Sequence, residues 1–324
     1  MTSDSNSTAR PASAAQVSSA EFLGADDSTA HTTERASAET LDISSLSAAV
    51  ECLRGRRFAV LTGAGVSTDS GIPDYRGTGS SPRAAMTLRA FLTSEQARRH
   101  YWVVSHLGWH PFRAAEPNSG HRAITALEAS GKVPGVITQN IDGLHVRAGN
   151  EFVVELHGSL DRVWCLSCHH EYTRSEIAVW LEELNPRLAA AQSTPALPDG
   201  TVEVDTSVRT LIDGLTVPEC RKCGGILKPG VVFFGETVPI DVYRWAERVL
   251  ESADVLLVAG SSLAVNSGMQ LVERAIRRRQ RVVIINRGPT RADHRATVRI
   301  EGGTTESLVA LAGALIPAGS AKLD

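Results

Sequence analysis

Several things are scarce in this 324-residue chain, and each shortage narrows what it can be. No run of about 18 apolar residues occurs, the length a membrane-spanning helix requires, so no membrane partner is expected. The net charge is only −3, too small an imbalance for the broad basic footprint of a nucleic-acid binder. Large apolar side chains are few before Thr40, and no apolar leader core is present there. In the same stretch Arg10 and Arg35 are outnumbered by Asp4, Glu21, Asp26, Asp27, Glu34 and Glu39, which argues against a mitochondrial transit peptide. Residues 1–41 are therefore expected to be a disordered Ser/Ala-rich tail, since they cannot bury enough surface to offset their ordering entropy. Cytoplasmic residence is the corresponding expectation. Lysine is confined to Lys132, Lys222, Lys228 and Lys322, a bias that carries no functional reading.

What is present suits an α/β protein. Hydrophobic residues make up 42% of the chain, enough for a substantial core. Buried parallel strands are predicted at Phe58–Thr62, Val136–Thr138, Val255–Ala259 and Arg281–Ile285, each a short β-branched or leucine-rich run. Helical patterns separate them at Ser45–Leu53, Val242–Glu251 and Met269–Arg279. Strand–helix alternation implies a doubly wound, Rossmann-like parallel sheet whose ligands bind beyond the carboxyl ends of the strands. The strands run into "GAGVS", "QNIDG", "GSSLAV" and "NRGPT", so these polar stretches are expected to meet at one crevice. The arginine-rich residues 82–129 read as a helical cap, and Asn185–Gly200 as loop.

Gly63 and Gly65 open a phosphate-type turn, although the third glycine of the usual dinucleotide fingerprint is replaced by Thr68. Asp74-Tyr75-Arg76 follows, placing an arginine where an anion would need a partner. A surface ion pair is the plainer alternative. Gln139 and Asn140 can hydrogen-bond ribose hydroxyls or hold a water, and Asp142 can accept from an amide, although turn chemistry alone would also select these residues. His157 ends the strand-like "FVVEL" on the same rim. No acidic residue lies in "SSPRAAMTLRAF", where a dehydrogenase would place its ribose-binding carboxylate, so hydride transfer is disfavoured while NAD is not.

Four of the five cysteines form two C-x-x-C pairs, Cys165/Cys168 and Cys220/Cys223. Two such knuckles complete a tetrahedral Cys₄ zinc site, which has no open position and is therefore structural. Cys52 falls on an apolar helix face and reads as a core residue.

Taken together, "GAGVSTDSGIPDYRG", "TQNIDGLH", "ELHGSLDRVWC", the two C-x-x-C pairs, "KPGVVFFGE", "GSSLAV" and "NRGPTRAD" resemble the sirtuin family of NAD-dependent protein deacylases. The resemblance spans roughly residues 42–318 in the family's motif order. Tyr75, "PNSGHRAI", the long zinc insert and "LPDG" look like the class II branch, which includes lipoamidase- and ADP-ribosyltransferase-like members.

The resemblance implies a Rossmann-like domain in two parts, 42–164 and 228–318, with a helical cap at about 78–130. It also implies a zinc-binding insertion at 165–227 and a short tail at 319–324. NAD and one structural zinc are the implied cofactors, and acyl-lysine proteins the implied partners. Gly63, Ala64, Gly65, Asp74, Tyr75, Arg76, Gln139, Asn140, Ile141, Asp142, Gly260, Ser261, Ser262, Asn286, Arg287 and Gly288 would contact the cofactor. The nicotinamide would enter near Ile72, Asn140 and Asp142. His157, with Asn140, would be catalytic, taking a proton from a ribose hydroxyl. Val232, Phe233, Phe234, Gly235 and Glu236 would offer a strand edge to the substrate peptide. The products would be free lysine, nicotinamide and O-acyl-ADP-ribose. Protein mono-ADP-ribosyl transfer, removal of long-chain or lipoyl groups, and a zinc-ribbon binding module are the alternatives. No Tyr-x-x-Arg follows Arg76, so dicarboxylate acyl chains are not supported unless Arg83 or Arg89 substitutes.

Overall fold

A computed structural model describes residues 43–75, 86–191 and 195–317. The expected tails, 1–41 and 319–324, lie outside these residues, as do Arg76 and Arg83. Along the chain, α1 (Ile43–Leu53) precedes β1 (Phe58–Thr62), and α2 (Leu88–Thr93), α3 (Glu95–Ala114) and α4 (Ser119–Ala129) lead to β2 (Val136–Thr138). Next come α5 (Leu144–Arg147), β3 (Val153–Glu155), β4 (Gly158–Cys165), β5 (Glu171–Thr173), α6 (Arg174–Leu184), α7 (Pro186–Ala189), α8 (Thr206–Gly214) and β6 (Leu227–Val231). The chain closes with α9 (Ile240–Glu251), β7 (Val255–Ala259), α10 (Asn266–Arg277), β8 (Arg281–Asn286), β9 (Val298–Glu301) and α11 (Thr304–Leu315).

Six strands form one parallel sheet in the order β3-β2-β1-β7-β8-β9. Helices cover both faces, which is why the central strands β1 and β7 are buried at every residue and read as near-continuous apolar runs. The strand order reverses between β1 and β7, so the loops after them part there and leave a crevice. The four expected strands are all present, with β8 one residue longer. The sheet also carries the short edge strands β3 and β9.

The smaller unit has its own antiparallel sheet, β5-β4-β6. That sheet begins at Gly158 and ends at Val231, so the unit is wider than the expected 165–227 insertion. The stretch Asn185–Gly200, expected to be loop, includes the one-turn helix α7. The expected cap divides in two by packing. Phe91, Trp102, Leu107 and Phe112 of α2 and α3 share a core with Val163, Ile177 and Leu227 of the smaller unit. Ala123, Ile124 and Leu127 of α4 pack instead with Val60, Val136 and Leu311 against the large sheet. Arg174, at the start of α6, is buried with its guanidinium stacked over Trp102 and Trp109 of α3, at 5.4 and 5.1 Å from the ring centres.

Candidate active site

The crevice rim is tied together by side chains from distant strands. Gln139 donates through Nε2 to Ser261 Oγ at 2.6 Å, joining the β2 loop to the β7 loop. Asn140 donates through Nδ2 to Gly63 O and Ser67 Oγ, both at 3.1 Å. Ser67 in turn donates to Asp142 Oδ2 at 2.7 Å, and the Leu144 amide donates to Asp142 Oδ1 at 2.9 Å. The carboxylate is therefore held at both oxygens while still lining a cavity. That cavity has a volume of about 160 Å³ and is bounded by Trp109, Phe112, Arg113, Ile141, Asp142, Arg147, Leu160 and Asp161.

His157 sits where β3 ends, between two partners. Its Nδ1 lies 2.9 Å from Gln139 O, and its Nε2 lies 2.8 Å from Ser267 Oγ at the start of α10. A carbonyl only accepts, so Nδ1 carries the proton and Nε2 presents a lone pair. Burial lowers the pKa below 6.5, opposed by the hydrogen bond to Gln139, so the ring is a neutral base. Gly158 fixes where β4 leaves. Its φ is 76°, and a Cβ there would meet Gly230 O at 1.9 Å, so only glycine fits.

The glycines of the opening turn act differently from the simple phosphate-approach picture. Gly63 and Gly65 spend their N–H groups on Ala259 O and Gly260 O. A Cβ on either would lie within 2.8 Å of the Gly260–Ser261 backbone or side chain. They are glycines because two loops cross there in backbone contact. Gly260 itself has φ 64° and donates to Ile285 O. At Gly288, with φ 72°, a Cβ would meet nothing within 4 Å, so the backbone faces the open space that an approaching dinucleotide needs. Asn286 Nδ2 braces this loop through Arg287 O and Gly288 O.

Among the other expected contacts, Asp74 and Tyr75 follow the turn, with Tyr75 half exposed, and Ser262 O accepts from the Arg291 amide. Ala64 opens a short 3₁₀ turn, and Ile141 O accepts from the Leu160 amide.

The expected substrate edge is corrected in part. β6 stops at Val231, and Val232–Glu236 is a single bridge plus a turn rather than a strand. The Phe234 amide and carbonyl are occupied by Met86 and Leu88. Phe233 is buried among Phe91, Tyr101 and Lys228, so it is a core residue. Glu236 accepts from the Phe233 amide and pairs with buried Lys228 at 3.0 Å. Phe234 keeps an exposed ring, and the Val232 amide donates to His157 O at 2.8 Å.

Sequence reasoning missed Ser67, Ser267, Arg113 and Arg147. Arg89, one of the suggested substitutes, is exposed on α2, whereas Arg113 and Arg147 line the cavity. Asn118, quoted only within a motif, caps α4 and also reaches Val66 O and Ser70 Oγ.

The cysteine knuckles meet as thiols, not as a disulfide. Cys165 and Cys223 Sγ are 3.4 Å apart, and Cys168 and Cys220 Sγ are 3.7 Å apart. All four sulfurs lie within 4.8 Å of one another. A tetrahedral zinc with Zn–S bonds of about 2.3 Å sets its sulfurs about 3.8 Å apart, whereas a disulfide requires about 2.05 Å. The Ser167 and Cys168 amides point at Cys165 Sγ, which favours the thiolate a metal needs. The set fits zinc. Cys52 is buried, as expected for a core residue.

Histidine burial predicts an acid-labile fold. Burial lowers the pKa of His157 and His145, and pushes His121 and His106 down to about 3. Each stays neutral when folded but titrates near 6.5 when unfolded. Their stabilisation is complete above pH 6.5 and is lost as pH falls. Each costs about 1.4 kcal/mol of stability per pH unit below that point, until its folded pKa is reached. The melting temperature should fall steadily between about pH 7 and pH 5, and His121→Gln should flatten the curve. A melting temperature independent of pH in that window would contradict this account.

Comparison with known proteins agrees with the geometry. The Sir2 family model matches residues 63–267. NAD-dependent protein deacetylase 1 of Mycobacterium avium is 48% identical over 273 residues, covering 83% of this chain and 95% of that protein. NAD-dependent protein deacetylase 1 of Streptomyces coelicolor is 47% identical over 257 residues, covering 79% and 85%. The solved structure described as "Sir2-p53 peptide-NAD+" matches with a TM-score of 0.65 at 31% identity, covering 81% of this chain and 95% of that one. The chain belongs to the Sir2 family, the sirtuins.

Proposed function

We propose that this chain is an NAD-dependent protein lysine deacylase of the deacetylase type. The observation that carries the reading is His157, a largely buried neutral imidazole whose Nδ1–H is committed to Gln139 O and whose Nε2 lone pair is met only by the Ser267 hydroxyl. The two bacterial relatives bear deacetylase names, and the related Sir2 complex contains NAD and a p53 peptide, which supports it. No described helix is long and apolar enough to cross a membrane.

When bound, NAD supplies an electrophilic ribose carbon once nicotinamide has left. The remaining work falls to the chain. Gln139, Ser261 and Ser262 hold one side of the crevice, and Asn286, Arg287 and Gly288 the other. Gly63, Ala64 and Gly65 form the floor, with Asp74 and Tyr75 following the turn. Asp142, pinned by Ser67 and Leu144, keeps acceptor capacity for a carboxamide next to Ile141. Asn140 is aimed by Gly63 and Ser67. His157 Nε2 takes the proton of a ribose hydroxyl, displacing Ser267 as its partner. The segment Val232–Glu236, with Phe234 exposed, meets the substrate peptide beside His157. The four cysteines hold the smaller unit on a zinc ion.

Mass spectrometry of products from NAD and a panel of acyl-lysine peptides tests this. Free lysine peptide, nicotinamide and O-acyl-ADP-ribose are expected. ADP-ribose attached to protein without deacylation would replace the reading with mono-ADP-ribosyl transfer. No NAD consumption would overturn both in favour of a zinc-ribbon binding module.

A further inference from the structure

A second cluster with metal-ligand chemistry uses none of the cavity-lining residues and none of the cysteines. His106 and His110 are four residues apart on α3, which puts both imidazoles on one helix face. Glu182 of α6 faces them. Its Oε1 is 3.3 Å from His106 Nε2 and 3.8 Å from His110 Nε2, and the three donor atoms all lie within 4.8 Å of one another. A tetrahedral ion with metal–nitrogen and metal–oxygen bonds of about 2.0–2.1 Å separates its ligand atoms by about 3.3 Å. The His106–Glu182 separation already matches that of a loaded site, and the His110–Glu182 separation is about 0.5 Å wider. The rings stand edge to face at 5.2 Å and 90°, so both nitrogens converge on the carboxylate without stacking.

We propose that His106, His110 and Glu182 form a second metal site, which takes a divalent late transition ion and ties α3 to α6. Two imidazoles and one carboxylate suit zinc, cobalt, nickel or copper rather than calcium or magnesium, which prefer oxygen alone. His106 is buried while His110 and Glu182 are partly exposed, so the site is closed by the protein on one side and open to water on the other. Among the described residues the His106 Nδ1 is buried with no hydrogen-bond partner, while its Nε2 is the atom that faces Glu182. Two features hold the affinity below that of the cysteine site. That unpartnered Nδ1 lacks the outer acceptor that usually orients a ligating histidine, and the buried Arg174 cation acts on His106 directly. The bound ion would fasten the cap helix to the helix that follows the first zinc knuckle.

The test adds Co²⁺ to tag-free, full-length protein whose cysteine site already holds zinc. One further Co²⁺ should bind, giving visible d–d absorption without a thiolate-to-cobalt charge-transfer band, and the melting temperature should rise with Co²⁺ concentration. His110→Gln, at a half-exposed position that does not threaten folding, should weaken the affinity at least about tenfold, and Glu182→Gln should do the same. Absence of a second bound ion would overturn the proposal. So would unchanged affinity in both variants, or a charge-transfer band showing that Co²⁺ had entered the cysteine site instead.

Discussion

His157→Ala should lower the deacylation rate at least about a hundredfold while leaving NAD affinity nearly unchanged, because a positioned general base contributes about 10²–10⁴-fold. The structure sharpens this expectation. Nδ1 is saturated by Gln139 O, so only Nε2 can receive a proton, and its present partner Ser267 is a hydroxyl that a substrate hydroxyl can displace. The base acts after nicotinamide has left, so nicotinamide exchange should survive better than product formation. Asp142→Asn should behave differently, damaging both partial reactions. Ser67 donates to Asp142 and accepts from Asn140, so an amide at position 142 disturbs the carboxamide acceptor and the aim of Asn140 together. If His157 only packs beneath the crevice, His157→Ala would instead depress the melting temperature and impair exchange and deacylation equally. Measuring exchange, deacylation and melting temperature on both variants separates the two. A His157→Ala protein that deacylates near the wild-type rate would remove His157 from the mechanism.

Loss of the cysteine zinc should be the other large effect. The purified protein is expected to carry about one tightly held zinc per chain, before any metal is added. Cys165→Ser should release it and unfold the smaller unit. Cys165 is buried at the end of β4, where it pairs in register with Leu227 of β6. Structural zinc in small peptides is worth about 10–16 kcal/mol at neutral pH, but the apolar core shared with α3 shelters this unit, so the loss here is smaller. The effect should still reach the crevice. β4 begins at Gly158, and the β6 end is tied to His157 through the Val232 amide. Hydrogen exchange should therefore rise across residues 158–231, with activity lost indirectly. A zinc-free preparation of full activity would sink the prediction.

The comparison of sequence with structure divides by range. The strands at Phe58–Thr62, Val136–Thr138 and Val255–Ala259 were legible to the residue, because a strand buried on both faces is a near-continuous apolar run, here closed in two cases by a threonine whose hydroxyl is hydrogen-bonded. The edge strand β9 escaped, since it is only partly buried and its sequence, VRIE, alternates with charge. The two cysteine pairs announced a metal site because their spacing is itself the geometry of a knuckle. The rim residues were legible as residue types at strand ends, but their partners were not. Ser67 and Asp142 are 75 positions apart, and His157 and Ser267 are 110 apart. Arg113 and Arg147 reach one cavity from α3 and α5. Phe233 looked like part of a substrate-facing edge, and only packing against Phe91 and Tyr101 turned it inward. Local apolar patterning decides which segments become strands and helices, since it depends on residues a few positions apart. Which donor meets which acceptor across the crevice depends on strand order and on how far each helix and loop travels between strands, and only the assembled fold sets that.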